Sequence, residues 1–263
     1  MNPPLEDLKS EVTISPRRWL RRVVILAAFF GFLLVPTLFS QDAVPTEILQ
    51  RTLFIKVGNV TGTAFTIDYQ GKIYVVTARH MVAGLPETKA TIQVWRAGSW
   101  ADYPTVRILF PPSSDADIAV LETDEKISQP YTVGAVGSTT FGQQVWFLGY
   151  PQGGLGTYIG DTELPFIKRG TMSAIDSRNP DAVVLYVDGF NNPGFSGGPI
   201  VFWDFGSHTY QIIGVVKGYR DEAAKMLVNG AQLDTNIIVN SGILVGYSIH
   251  HAIQAIEQGQ KKP

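Results

Sequence analysis

The sequence predicts an all-β protein, and three observations carry that prediction. From Gln50 onward the chain falls into short apolar runs separated by turn residues. Only one later stretch, near the carboxyl end, carries apolar residues at helical spacing. The chain has 263 residues, 45% hydrophobic and 17% charged, with no cysteine. That is ample for one large core standing without disulfides, and β-barrels or sandwiches of this length often form a single domain.

The chain begins with a segment of a different kind. Residues 1–22 are a polar leader ending in Arg17-Arg18-Trp19-Leu20-Arg21-Arg22, and Val23 to Phe39 then runs for 17 residues without a charge. As a helix this run reaches about 26 Å, near the short limit for crossing a bilayer core. Arginines before it, and Asp42 and Glu47 after it, predict that the leader stays in the cytoplasm and that everything after residue 40 is exported. The length of leader and run fits an uncleaved signal-anchor. Ser40 supplies a small residue for a cut, with Leu38 an ill-fitting partner, so a cleaved signal peptide is the alternative. The expected location is the cell envelope: a single-pass membrane protein, held through residues 23–39, with its folded part in the periplasm, or a secreted protein after cleavage. Residues 40–49 read as a linker and 50–263 as one domain.

Within that domain the expected strands are Thr52 to Val57, Thr63 to Tyr69 and Lys72 to Thr77, the last two joined by a tight Gln70-Gly71 turn. Further strands are expected at Thr91 to Arg96, Thr105 to Phe110, Ile118 to Glu122, Gln144 to Gly149, Ile167 to Ile175, Val183 to Val187, Ile200 to Trp203, Gln211 to Val216 and Ile243 to Ser248. Some 12 strands with few helices point to barrels or a sandwich. Pro151 to Gly156 and Ser177 to Pro180 read as surface loops. The first is glycine-rich but lacks the lysine of a phosphate-binding loop. Ile249 to Gln258 has Ile249, Ile253 and Ile256 on one helical face and is expected to stop at Gly259, with His250 and His251 solvated or capping.

Composition removes several functions. The net charge is -2, about -4 without the first 40 residues, and no basic stripe suggests nucleic acid. No cysteine means no thiolate chemistry, and the four histidines, His80, His208, His250 and His251, show no metal-ligand spacing. No metal and no cofactor are expected.

Three short stretches carry chemistry. Thr77-Ala78-Arg79-His80 places a histidine at the exit of a strongly apolar strand. Asp117 directly precedes the apolar Ile118-Ala119-Val120-Leu121, where a partly buried carboxylate needs a partner. Gly194-Phe195-Ser196-Gly197-Gly198-Pro199 crowds three glycines and a proline around one serine between two apolar runs, forcing turn geometry. A serine hydroxyl is a weak nucleophile until a base takes its proton, and imidazole titrates near working pH. A carboxylate on the other ring nitrogen fixes the tautomer and stabilises the imidazolium.

In that order, His80, Asp117 and Ser196, these blocks resemble the signature blocks of chymotrypsin-fold (trypsin-like) serine peptidases. Gly62 to Ile67, Val145 to Pro151 and Gly170 to Ala174 are similar to the cysteine-free bacterial HtrA (Deg) branch. The resemblance spans about residues 50–258. It implies two six-stranded β-barrels with a C-terminal helix, a catalytic triad of His80, Asp117 and Ser196, an oxyanion hole from the N–H groups of Gly194 and Ser196, an acyl-enzyme route without a cofactor, and a polypeptide substrate. It also places Phe190 near the base of the primary specificity pocket and Lys217, Gly218 and Tyr219 along its wall. An aromatic floor without an aspartate argues against cleavage after Lys or Arg and for small or medium apolar side chains. The competing reading of Phe190 is a core residue.

The chain departs from the family in three places. Where trypsin has an aspartate that pairs with a newly cut amino terminus, Phe195 stands, and no Ile-Val-Gly-Gly-like activation site follows residue 40. The aromatic either anchors the loop in the core or favours a collapsed loop that needs a trigger. No PDZ-like segment follows the expected helix. Two readings are open, a membrane-tethered or exported serine endopeptidase and a protease-fold binding or sensing module that rarely assembles its triad. The sequence leaves the oligomeric state unknown.

Overall fold

The structure, a computed structural model, describes residues 43–125, 127–134, 139–160 and 162–261. The leader, the apolar run and the first three residues of the linker lie outside the described residues. Among the described residues no helix is long and apolar enough to cross a membrane.

After a one-turn helix α1 (Thr46–Leu49), seven strands form the first sheet: β1 (Thr52–Val57), β2 (Val60–Tyr69), β3 (Lys72–Thr77), β4 (Thr91–Arg96), β5 (Ser99–Pro104), β6 (Arg107–Leu109) and β7 (Ala119–Glu122). Their order is β5-β4-β1-β2-β3-β7-β6. The β2–β3 turn has positive φ at both Gln70 and Gly71, the conformation whose twist matches the flanking strands. A bridge between Thr88 and Arg107 brings the chain entering β4 against β6 and curls the sheet back on itself. Leu53, Ile55, Val75, Ile92, Ile108 and Leu121 fill its inside.

The second sheet comprises β9 (Gln144–Gly149), β10 (Gly156–Ile159), β11 (Thr162–Asp176), β12 (Val184–Asp188), β13 (Pro199–Asp204), β14 (Thr209–Val228) and β15 (Ala231–Ser248), with the two-residue β8 (Thr132–Val133) beside β14. Its order is β10-β11-β12-β15-β14-β13-β9, and β11 also pairs with β9, so six strands close a ring. Phe147, Leu185, Val187, Phe195, Ile200 and Phe202 are among the residues packed in its core.

A third apolar cluster joins the halves. Phe65, Ile67, Val76 and Val120 of the first sheet meet Trp146, Leu148, Val201 and Ile212 of the second, with Ile249 just before the C-terminal helix α2 (His250–Lys261) and Ile256 within it. Strands such as β3 are therefore buried on both faces. That is why Tyr74 to Thr77 reads as a continuous apolar run rather than an alternating one.

Helix α2 runs past Gly259 to Lys261. Gly259 is there for close approach, since a Cβ would lie 2.7 Å from Leu109 Cδ2. His251 is neither solvated nor a cap. It is fully buried, its Nε2 accepts the Val183 N–H at 2.8 Å, and its Nδ1 lies 2.7 Å from Gln254 Oε1.

The largest departure from expectation is the β14–β15 pair. Expected strands end at Val216 and restart at Ile243, but the pair continues to a turn at Asn229-Gly230, both at positive φ. Beyond the Asp221–Asn240 pair the two strands pair with each other alone. Leu227 and Ile238 are exposed there, so no core imposes a regular apolar alternation. Strand β10, read as loop in part, is likewise an exposed edge.

Candidate active site

The register of β3 against β7 sets Thr77 opposite Ala119, so the residues just beyond these positions, His80 and Asp117, come together at one edge. His80 sits in the 3₁₀ turn Arg79–Val82 after β3. Its backbone N–H donates to Asp117 Oδ1 at 2.9 Å, and its Nδ1 lies 2.6 Å from Asp117 Oδ2. Burial alone would push the Asp117 carboxyl up. The hydrogen bonds and charge of His80, with a smaller contribution from Lys217, hold it below the ordinary carboxylate value.

Ser196 is held from three sides. Its carbonyl accepts the Thr63 N–H of β2 at 3.0 Å, and the next residue, Gly197, donates to Val216 O of β14 at 2.8 Å. Gly197, at φ 82°, lies flat against Thr77 and Ala78, where any Cβ would collide with Thr63 O and Thr77 Oγ1. The serine loop thus packs onto the very strand end that carries His80. The Ser196 hydroxyl donates to Lys217 O at 2.9 Å, and among the described residues it makes no hydrogen bond to His80.

The backbone before Ser196 is fixed in a particular orientation. Pro193 O accepts the Gln152 N–H at 3.1 Å, and because the peptide is trans, the Gly194 N–H points the opposite way. Gly194 is at φ 103°, and its carbonyl accepts the Thr63 hydroxyl at 2.7 Å. That hydroxyl in turn accepts the Tyr150 N–H at 3.0 Å. Neither the Gly194 N–H nor the Ser196 N–H has an acceptor among the described residues.

Phe195 is fully buried, its ring edge-on to Phe147 at 5.4 Å, and Gly149 makes room for it: a Cβ there would lie 2.7 Å from Phe195 Cδ1. The aromatic anchors the loop in the second core.

The residues expected to form the specificity pocket divide. Gly218 and Tyr219 lie on β14, paired with Val245 and Leu244. Lys217 is exposed, with its Nζ 5.8 Å from the Tyr247 ring centroid. Phe190 is neither a pocket floor nor core. It is 56% exposed, with the Lys168 ammonium 5.4 Å from its ring centroid. Counting back from Ser196 found the right segment but not the side-chain direction, which the irregular backbone before the serine sets. Sequence reading also missed Thr63, Gln152 and Lys168 as supports of the serine loop. Only Thr63 had a signal, its place in the Gly62 to Ile67 block. Among the described residues no three His, Asp or Glu side chains form a group able to hold a metal.

Comparison with known proteins accords with this geometry. The family model for the trypsin-like peptidase domain matches residues 62–204. Over 164 residues the chain is 29% identical to the chloroplastic Protease Do-like 1 of Arabidopsis thaliana, covering 61% of this chain and 33% of that protein, so it spans about a third of the relative's length. Among solved structures, an inactive serine-to-alanine form of Rv3671c from M. tuberculosis H37Rv superposes with a TM-score of 0.52 at 18% identity, covering 83% of this chain and 90% of that one. The HtrA-type protease AlgW, in a serine-to-alanine form with a tripeptide, gives 0.54 at 18% identity, over 82% and 63%. These two show a shared fold. Since the family model takes in more than half of the chain, including His80, Asp117 and Ser196, the chain belongs to the trypsin-like peptidase domain family.

Proposed function

We propose that this trypsin-like serine protease is an endopeptidase that cleaves polypeptides through an acyl-enzyme on Ser196, with His80 as base and Asp117 as its orienting carboxylate. The observation that carries this is the His80–Asp117 pair beside a serine loop whose two backbone N–H groups, of Gly194 and Ser196, are unpaired. Asp117 accepts from Nδ1, leaving Nε2 to take the serine proton as the hydroxyl attacks and to return it to the leaving amine. Negative charge developing on the carbonyl oxygen falls to the two free N–H donors, and losing one such donor typically costs roughly 3–4 kcal/mol.

The Ser196 hydroxyl must exchange one acceptor for another, Lys217 O for His80 Nε2, by rotation about χ1. Catalytic hydrogen bonds of unliganded enzymes commonly form only when substrate binds. The same Lys217 contact is what favours the second reading, a binding module that keeps its serine turned away.

Strand β13 leaves β14 at the Pro199–Val215 pair, so Lys217 to Tyr219 present an edge to which an extended peptide can add as a strand. With no carboxylate on Lys217, Gly218 or Tyr219, the preferred residue before the cut is apolar rather than Lys or Arg. A peptide-library profile dominated by Lys or Arg would overturn that preference. Membrane tethering through residues 23–39 is part of the proposal, supported by the charge-free run and its arginine flank. Protein recovered from membranes is expected to have the intact mass of the full chain, whereas loss of about the first 40 residues would mean a cleaved signal peptide. Turnover of peptides that disappears in Ser196→Ala supports the enzyme; peptide binding without turnover supports the module.

A further inference from the structure

The segment from Phe190 to Phe195 belongs to no strand or helix, yet it aims the Gly194 N–H. Besides the turn bonds from the Gly198 N–H to Phe195 O and from the Asn192 N–H to Asn191 Oδ1, both at 2.8 Å, few hydrogen bonds hold it: Pro193 O to Gln152 N–H, Gly194 O to Thr63, Asn191 O to Asn240 Nδ2 at 2.6 Å, and the Phe195 N–H to Asn192 O at 3.3 Å. Two more come from one side chain. Lys168, on β11 opposite Phe147 of β9, donates from Nζ to Phe190 O at 2.7 Å and to the Asn192 side-chain oxygen. The same ammonium lies 5.4 Å from the Phe190 ring centroid and 5.6 Å from that of Phe195, the residue next to the serine.

The chemistry around Lys168 is unusual for a lysine. A half-buried ammonium is costly unless paired, yet among the described residues it has no carboxylate partner. It is satisfied by a backbone carbonyl, a side-chain amide and two ring faces. Burial holds its pKa below the ordinary lysine value. All four partners belong to the six residues before Ser196. A lysine serving only solubility would extend into water; this one is spent on the loop.

We propose that Lys168 is a positioning residue that locks the Phe190–Phe195 segment, and through it holds the Gly194 N–H in place for the transition state; this rests on the serine-protease reading above. A fixed internal cation thereby does by hydrogen bonding and ring contact what a newly cut amino terminus does by ion pairing elsewhere in the fold, so no processing step is required to order the loop.

The test compares the full-length protein with Lys168→Met, which keeps most of the stem but no donors, and Lys168→Arg, which keeps cation and donors. In Lys168→Met, kcat is expected to fall about 10²-fold, the scale of a lost oxyanion donor, with KM within about threefold. Lys168→Arg should recover at least tenfold of that loss. Amide hydrogen exchange of peptides covering residues 189–196 should accelerate in Lys168→Met while β12 and β13 stay protected. Unchanged kcat together with unchanged exchange in this segment overturns the lock, as does a loss that Lys168→Arg fails to restore. If Lys168→Met does not fold, Asn192→Ala removes one acceptor alone and must give the same pattern in milder form. A wild-type protein that never turns over peptide would sink the enzymatic reading instead, and the exchange measurement then decides the lock by itself.

Discussion

At Asp117, burial and charge oppose each other, and His80 decides the outcome in favour of the ionised carboxyl. An asparagine there would retain size and polarity but, in donating to the ring, select the wrong tautomer. Asp117→Asn is therefore expected to lower kcat by about 10⁴ while the protein stays folded, measured by peptide turnover beside a thermal melt. Full activity in this variant would remove Asp117 from the mechanism. His80, Asp117 and Ser196 could be singled out in the sequence because each stands at a strand end, in the order in which the family's blocks occur. Lys168 could not, since a lysine held by a carbonyl, an amide and two rings leaves no spacing pattern. Phe190 was misplaced because loop geometry, not residue count, sets its direction.

Between elements, Glu122 ties the first barrel together. On β7, with its side chain 10% exposed, it accepts from Lys72 of β3 at 2.5 Å and from Arg107 of β6 at 2.6 Å. Arg107 also donates to Gly259 O, fastening helix α2. Burial would raise the Glu122 carboxyl, but Arg107 and then Lys72 bring it below the ordinary value of 4.5. Its folded-state value is thus lower than its unfolded one, so its stabilisation is complete above about pH 4.5 and fades as pH falls through the folded value. Because the partners are 43% and 34% exposed, Glu122→Gln should cost only about 1–2 kcal/mol at pH 7. Denaturant unfolding should show the difference shrinking towards pH 3. A constant difference across that range would mean that shape, not charge, matters there.

The outer β14–β15 ribbon behaves differently from the strands beneath it. Excising Glu222–Val239 and rejoining Asp221 to Asn240 through Asn-Gly keeps Asn240, which holds Asn191 O. A two-stranded ribbon without a covering layer adds little stability. The shortened protein is expected to melt within about 3 °C of the parent, and a larger drop would make the ribbon part of the cooperative core. Strands with two buried faces, such as β3 and β9, were legible to the residue. The ribbon was not, although Asn229-Gly230 is a strong hairpin signal, because its flanks carry no sustained alternation.

For the whole molecule, two closed sheets share one apolar interface, and the site is assembled where they meet. The first contributes His80 and Asp117 from the ends of β3 and β7; the second contributes the serine loop before β13, and Thr63 of β2 bonds into it. This division explains why His80, Asp117 and Ser196 are scattered over more than 100 positions of sequence and why length and composition alone pointed only to barrels or a sandwich. Phe195 in the second core and Thr63 in the first both grip the same loop, so packing of the two halves and order of the loop are coupled. The central claim is that Ser196 becomes nucleophilic in the intact molecule. Full-length protein, treated with a fluorophosphonate and weighed by mass spectrometry, tests it most directly. One adduct that maps to Ser196 and is absent from Ser196→Ala is the predicted result; no adduct, or one that survives in Ser196→Ala, would contradict it.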